Sequence, residues 1–429
     1  VSLSRYESYK DSGVEWLGEV PAGWEVIPPK RIVSSKAGGT LIKGQCSPEP
    51  ADDLVPAFSA SGQDVWVEEA DYSGEGIVLS AVGALCGKTF KADREWGVVA
   101  NTHCLFCGPD ADRDFFWYVT NVRNWWVIGG TAQPFVKVRE TLERPWVFPP
   151  RDEQTAIAAY LDRETGKIDG LVAEQRRLIG LLAEKRRAAI SRVVTRGLDP
   201  AAPRKPTGVN WLGDVPEHWQ VLKLSRVATE FCDGPFGSGL KSSHYVEEGV
   251  RVIRLGNIRD GEFERESEAF IDPDYYREGL GGGHDVRGGD LVVAGLGDAN
   301  HLLGRACVAP ADLGPTMVKA DCFRFRLDES SSDAKFVSLC LNVSASYDAG
   351  LYGTGTTRTR MNLSTVANRR IVLPPLSEQK AIADRCATIA TTFGQMARDA
   401  ESAVALLLER RSALISAAVT GQIDVRGLA

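Results

Sequence analysis

The feature that most constrains this chain is an internal duplication. Residues 12–26, SGVEWLGEVPAGWEV, and residues 207–221, TGVNWLGDVPEHWQV, share the pattern G-V-x-W-L-G-x-V-P-x-x-W-x-V at an offset of 195. Two Trp, two Gly and a Pro in one register do not arise by chance, and a fixed repeat decides the architecture before any other signal is read. A second pair follows. WVFPPRDEQTAIA (146–158) matches IVLPPLSEQKAIA (371–383) at an offset of 225, which persists through Glu184-Lys185-Arg186 and Glu409-Arg410-Arg411 to Val194-Thr195 and Val419-Thr420. The offset changes by 30 between the two signatures, so each half holds an insert of different length and sequence inside a similar frame.

The Pro-Pro pairs at 149–150 and 374–375 suit the turn before a helix, with Asp152 and Ser377 as expected N-caps. No Pro follows for about 45 residues, so each segment predicts a rod of about 65–70 Å at ~1.5 Å per residue. Heptad seams run from Leu161 through Ile168, Val172, Ile179 and Leu182 to Val193, and from Cys386 through Phe393, Ala400, Val404 and Leu407 to Ala418. Small and polar residues interrupt both seams. Two such stripes pack most simply on each other as an antiparallel coiled coil; the alternative is that each helix packs on its own domain. The first helix is basic near its end, with Arg186 and Arg187 in that stretch. That is either a solvated face or a contact to DNA phosphate or an acidic partner.

The inserts alternate short strands with Gly-rich turns. Strands are expected at 76–82, 88–90, 98–106, 250–258, 290–294, 305–309 and 321–327, with short helices at 115–127 and 335–345 and loops at 234–239, 279–283 and 350–355. The predicted fold is mixed α+β: two α/β domains, each followed by a long helix, related by a pseudo-twofold duplication. The expected boundaries are 1–148, 149–205, 206–373 and 374–429.

Catalytic signatures are missing. Gly83-Ala84-Leu85-Cys86-Gly87-Lys88-Thr89 is one residue too short for a P-loop. His103-Cys104-Leu105-Phe106-Cys107 holds a lone C-x-x-C whose cysteines face opposite sides of a strand. No Pro-Pro pair carries the preceding Asn or Asp of an amino-methyltransferase motif. The reading is therefore a binding protein rather than an enzyme, with no metal site of its own. The nine cysteines are scattered, as expected of reduced and mostly buried thiols. No apolar run is long enough for a membrane span, and residues 1–10 lack a secretory core, so a cytoplasmic location is expected. The formal net charge of −7 argues mildly against nucleic acid, although the local field at a groove matters more than the total.

The paired Trp motifs, the paired PP-x-x-EQ-x-x-IA motifs and the segment DGPFGSGLKSSHYVEEGVRVIRLGNI (233–258) resemble signatures of the specificity subunits of Type I restriction-modification systems. The resemblance spans essentially the whole chain. It implies two target recognition domains, each reading one half of a split double-stranded DNA site, and an antiparallel helical spacer that sets their separation. Two modification subunits carrying the adenine methyltransferase and motor-nuclease restriction subunits are the implied partners. S-adenosylmethionine, ATP and Mg2+ would belong to those partners, with no cofactor in this chain. A methylation-only system and a coiled-coil scaffold with protein-binding inserts remain the alternatives.

Direct readout needs hydrogen-bonding side chains on loops, with cations nearby for phosphate. The candidates in the first insert are Lys36, Thr40, Lys43, Gln45, Ser59, Ser61, Gln63, Lys88 and Gln133. In the second they are Ser238, Lys241, Ser242, Ser243, Arg254, Asn257, Arg305, Arg358, Arg360 and Asn362. Trp16, Trp24, Trp211 and Trp219, with Arg186 and Arg187, belong to the frame and are expected to serve assembly.

Overall fold

The structure, a computed structural model, describes residues 4–235, 239–298, 300–352 and 360–428. Among these residues the helices are α1 (Arg113–Thr120), α2 (Val138–Glu143), α3 (Arg151–Arg196), α4 (Ala334–Tyr352), α5 (Leu363–Ala367) and α6 (Leu376–Val419). The chain divides into two compact units. Unit 1 is Val1–Arg177 with Ala400–Ala429, and unit 2 is Leu178–Asp399, so both long helices are shared between the units.

Unit 1 is built on two four-stranded sheets. One is antiparallel, in the order Val33–Ala37, Thr102–Cys107, Gly76–Ser80, Thr89–Ala92. The other runs Gly62–Val67, Val55–Ser59, Glu95–Val98, Tyr72–Ser73, with Val55–Ser59 and Glu95–Val98 parallel. The two-residue period of the strands sorts their side chains. Leu79 and Leu105 face α1, where Phe115 and Phe116 complete the core. Val78 and Cys104 face the second sheet, where they meet Phe58, Trp96 and Val98.

Unit 2 repeats this plan. Its antiparallel sheet is ordered Ala228–Cys232, Cys322–Leu327, Leu291–Ala294, Ala306–Val308. Its second sheet is Tyr245–Val246, Phe270–Ile271, Val250–Ile253, Thr316–Val318, again with one parallel pair, Val250–Ile253 with Thr316–Val318. Val33 and Ala228 open equivalent strands, as do Val55 and Val250, both at the offset of 195 residues. The duplication therefore extends into the inserts.

The long helices pack antiparallel. In unit 1, Ile157 and Leu161 near the start of α3 share a core with Ile415, Ala418 and Val419 at the end of α6, and Arg411 pairs with Asp169 at 2.9 Å. In unit 2, Val194 at the end of α3 meets Ile382 and Cys386 at the start of α6. The seam residues named from the sequence are all buried or half-buried. Each helix ends on a glycine with positive φ, Gly197 at +73° and Gly421 at +74°. A Cβ there would lie 3.1 Å from Trp219 or 3.3 Å from Trp24, so the helix stop and the frame Trp are built together.

Several local expectations change. The run 98–106 splits between two strands of different sheets, Glu95–Val98 and Thr102–Cys107, with Asn101 at a left-handed φ of 66° between them, and the strand expected over 250–258 stops at Ile253, before a tight turn at Leu255–Asn257. The helices begin at Arg151 and Leu376, so Asp152 and Ser377 lie inside the first turn; the carbonyls of Pro150 and Pro375 accept the first backbone N–H groups at 2.9–3.0 Å. The helix expected over 115–127 stops at Thr120, and Asn124 takes a left-handed φ of 62° that lets Trp125 and Trp126 turn back into the core. Residues 350–352 belong to α4 instead of a loop, and the rest of that Gly-rich stretch lies outside the described residues. No described helix is long and apolar enough to cross a membrane.

Candidate nucleic-acid interface

The duplicated signatures meet in space. In unit 1, Trp24 Nε1 and the Tyr6 hydroxyl both donate to Glu153 Oε1, at 3.1 and 2.6 Å. Burial, reinforced by that carboxylate, pushes the Tyr6 hydroxyl up, so it stays a donor. In unit 2, Trp219 Nε1 donates to Glu378 Oε1 at 3.1 Å, and His218 Nε2 lies 2.8 Å from Glu378 Oε2. The neighbouring glutamines act alike. Gln154 Oε1 accepts from the Asp112 N–H at 2.8 Å, while its Nε2 donates to the carbonyls of Asp110 and Pro149. Gln379 accepts from the Asp333 N–H at 2.8 Å and donates to Ser331 and Pro374. The EQ pair thus ties each long helix to the frame Trp and to the turn that starts α1 or α4.

Trp24 and Trp219 are sealed in this frame, 2% and 0% exposed. Trp16 is 50% exposed and stacks at 4.9 Å on Trp146, lining a cavity of about 340 Å³ with Arg123 and Arg144. Trp211 lines a larger groove of about 1040 Å³ in unit 2 with Arg186, Arg187, Lys335 and Asp260. Desolvation there raises the Asp260 carboxyl against the opposing pull of Arg186 and Arg187.

At one end of unit 1, backbone hydrogen bonds gather the expected reading loops. The Ala100 N–H donates to Leu41 O at 2.7 Å, Ala81 N–H to Asn101 O at 2.9 Å and Val136 N–H to Ala81 O at 2.8 Å. Val99 N–H donates to Phe58 O and Ser80 N–H to Lys88 O. Thr40, Lys43, Gln45, Ser61, Lys88 and Gln133 therefore sit on neighbouring loops, with Ser59 and Gln63 at the strand ends that flank Ser61. Lys43 pairs with Asp64 at 2.5 Å, Gln45 Oε1 takes the Ile42 N–H at 3.0 Å, and Ser61 N–H donates to Ser59 Oγ. Ser59 is only 4% exposed and donates to Asp64. Lys36 lies on the adjacent edge strand, its ammonium 5.8 Å from the Tyr72 and Phe106 ring centroids.

Unit 2 closes its end in the same way. Gly295 N–H donates to Asp321 O at 2.7 Å and Met361 N–H to Gly295 O at 2.8 Å. Asn101 and Asp321, at equivalent corners, share a left-handed φ of 66° and 64°. Lys241, Ser242 and Ser243 are exposed on a tight turn, and Arg360 Nε donates to Asp321 at 2.7 Å. Asn362 caps α5 by accepting the Thr365 N–H at 2.8 Å. Arg254 is half-buried and donates to Ser267 Oγ and Glu268 O. Two expected readers are internal. Asn257, 1% exposed, uses its amide on Arg254, Glu264 and Ser267. Arg305, 4% exposed, spends its guanidinium on the carbonyls of Leu255, Ile258, Leu296 and Leu302. Ser238 and Arg358 lie outside the described residues. The polar search passed over Leu41, Ile42 and Phe135, which are 44%, 59% and 42% exposed on the same loops; two large apolar residues just after Gly38-Gly39 were the available signal.

No family profile matches the chain. Among curated proteins it is 24% identical over 313 residues to the MjaVIII Type I restriction enzyme specificity subunit of Methanocaldococcus jannaschii, a match covering 70% of this chain and 67% of that one. It is 26% identical over 219 residues to the EcoBI specificity subunit of Escherichia coli, covering 50% of this chain and 41% of the relative. Over most of its length the chain is similar to Type I specificity subunits. A solved chain from a study of a type I restriction-modification system has the same fold at a TM-score of 0.63 and 16% identity, covering 93% of this chain and 98% of that chain. Among the described residues, no group of three or more His, Cys, Asp or Glu is arranged to hold a metal ion.

Proposed function

We propose that this chain reads a bipartite, asymmetric double-stranded DNA site, one half-site per unit, and directs adenine methylation and restriction by partner subunits without catalysing either step. One observation carries this reading: the two units share one architecture but differ at equivalent positions of the loop end. The residue before the tight turn is Ile42 in unit 1 and Lys241 in unit 2. The residue bridged to the neighbouring loop is Phe135 in unit 1, opposite Val82, and Arg360 in unit 2, opposite Leu296. A common scaffold with different side chains at its tips suits two different half-sequences.

In this reading the Trp–Glu–Gln frame holds the reading ends in place. Two modification subunits supply the methyltransferase and its S-adenosylmethionine, and restriction subunits supply ATP- and Mg2+-dependent cleavage. The test is a genome-wide map of methylated adenines with and without this chain. A split motif that appears only with the chain, and changes in one half alone when the exposed loop residues of one unit are exchanged, is the expected result. Methylation independent of the chain overturns the proposal.

A further inference from the structure

Resting on DNA reading by unit 1, we propose that Ile42 and Phe135 are base-reading residues that recognise the 5-methyl group of thymine. Ile42 is the most exposed of the large apolar side chains on these loops, at 59%. Its backbone is held at both ends. Its N–H donates to Gln45 Oε1 at 3.0 Å and its carbonyl accepts the Gln45 N–H at 2.9 Å. The turn therefore presents the side chain to solvent instead of letting it fold inward. Phe135 stands on the short hairpin Ile128–Gly129 with Phe135–Val136, one residue before the Val136 N–H that bonds Ala81.

The surroundings say what these tips meet. Thr40, Lys43, Lys88 and Gln133 flank them, all exposed. Hydrogen-bonding side chains therefore stand beside the apolar tips on the same end of the unit. A base pair offers the major groove one apolar group, the C5-methyl of thymine, beside its donors and acceptors. The contrast with unit 2 supports the assignment. The same two positions hold Lys241 and Arg360 there, and Leu240, which precedes that turn, is 9% exposed. At these two positions methyl reading is thus a property of unit 1.

The experiment replaces each thymine of the recognition site singly with deoxyuridine, which deletes one methyl group. Binding of the assembled complex is then compared for the native chain, Ile42→Ala and Phe135→Ala. Losing one buried methyl-sized contact weakens binding roughly fourfold. The expected result is a thymine in one half-site where deoxyuridine weakens the native complex by about that factor and has almost no further effect on a variant. Phe135→Ala truncates a residue of its hairpin, whereas Ile42→Ala truncates a side chain that is mostly exposed and leaves the Gln45 hydrogen bonds to the Ile42 backbone in place. A flat uracil scan in a complex that still prefers its site overturns this inference alone. Variants that lose methyltransferase subunits while the scan stays flat reassign the tips to a protein contact. A complex with no preference for any sequence overturns the proposed function as well.

Discussion

Replacing Gln154 with alanine removes three hydrogen bonds at a site 1% exposed. It orphans the Asp112 N–H and the carbonyls of Asp110 and Pro149, at the junction of α1 and α3. Each intramolecular hydrogen bond contributes about 1 kcal/mol net, and a buried group left without a partner costs at least as much. The expected destabilisation of unit 1 is therefore about 3 kcal/mol. For a unit of this size each kcal/mol lowers Tm by roughly 2–4 °C, so a fall of about 6–12 °C is expected. Gln379→Ala removes the equivalent three bonds in unit 2 and should cost a similar amount. The two effects should add, because the glutamines share no partner. Gln154→Glu keeps the shape and the acceptor, loses both donations and introduces a buried charge, so it should not rescue. The assay is thermal unfolding followed by tryptophan fluorescence, to which unit 1 contributes eight of the ten Trp and unit 2 the other two. A Gln154→Ala chain that melts within about 2 °C of the native one would refute the claim that the EQ pair fastens helix to domain.

Asp112 gives a pH dependence. Burial raises its carboxyl, but hydrogen bonds from the Phe115 N–H, Arg151 and Thr155 outweigh that and hold it below the usual aspartate range. Its stabilisation is present above the unfolded value of about 4 and is lost as pH falls through the lower folded value; Asp112→Asn should flatten that acid limb in a pH series of melts. Charge reversal at Arg186 and Arg187 should impair assembly with the partner subunits and leave the methylated motif unaltered. A changed motif would place those residues in DNA reading.

The duplication, the two long helices and their seam were legible because each is written in short periodic or repeated patterns. Some strands of the inserts were legible in the same way, among them Gly76–Ser80, Leu291–Ala294 and Cys322–Leu327, whereas Val33–Ala37, Val55–Ser59, Gly62–Val67, Ala228–Cys232 and Thr316–Val318 were not named from the sequence. Other features depend on residues far apart in sequence. The bond from Trp24 to Glu153 links positions 129 residues apart, and nothing local to either names the other. Asn257 and Arg305 looked like readers because they are polar residues near strand ends. The fold instead uses them to satisfy buried backbone carbonyls, a demand visible only once the loops are closed. Ile42 and Phe135 were missed for the opposite reason: apolar residues in loops are read as core until their exposure is measured.

In a chain of net charge −7, the placement of the cations at the loop ends decides what they can offer to DNA. At the reading ends, Lys43 is paired with Asp64, Arg360 with Asp321, and Lys36 sits over aromatic rings. A cation already neutralised by a carboxylate gains little by moving to a phosphate, because one partner is exchanged for another. Phosphate contacts supply most non-specific affinity, through counterion release at a slope of about 0.9 per contact. In a chain with 57 acidic and 50 basic residues, Lys43 and Arg360 are already neutralised, which reduces their share of that term, while Lys88 and Lys241 stay exposed. On the proposed function, its contribution to binding lies in short-range contacts at the loop tips, which discriminate between base pairs but attract DNA weakly. On that same proposal, part of the sequence-independent grip would come from the modification and restriction subunits. That division leaves the reading loops free to vary between the two units while the Trp–Glu–Gln frame and the long helices keep one geometry.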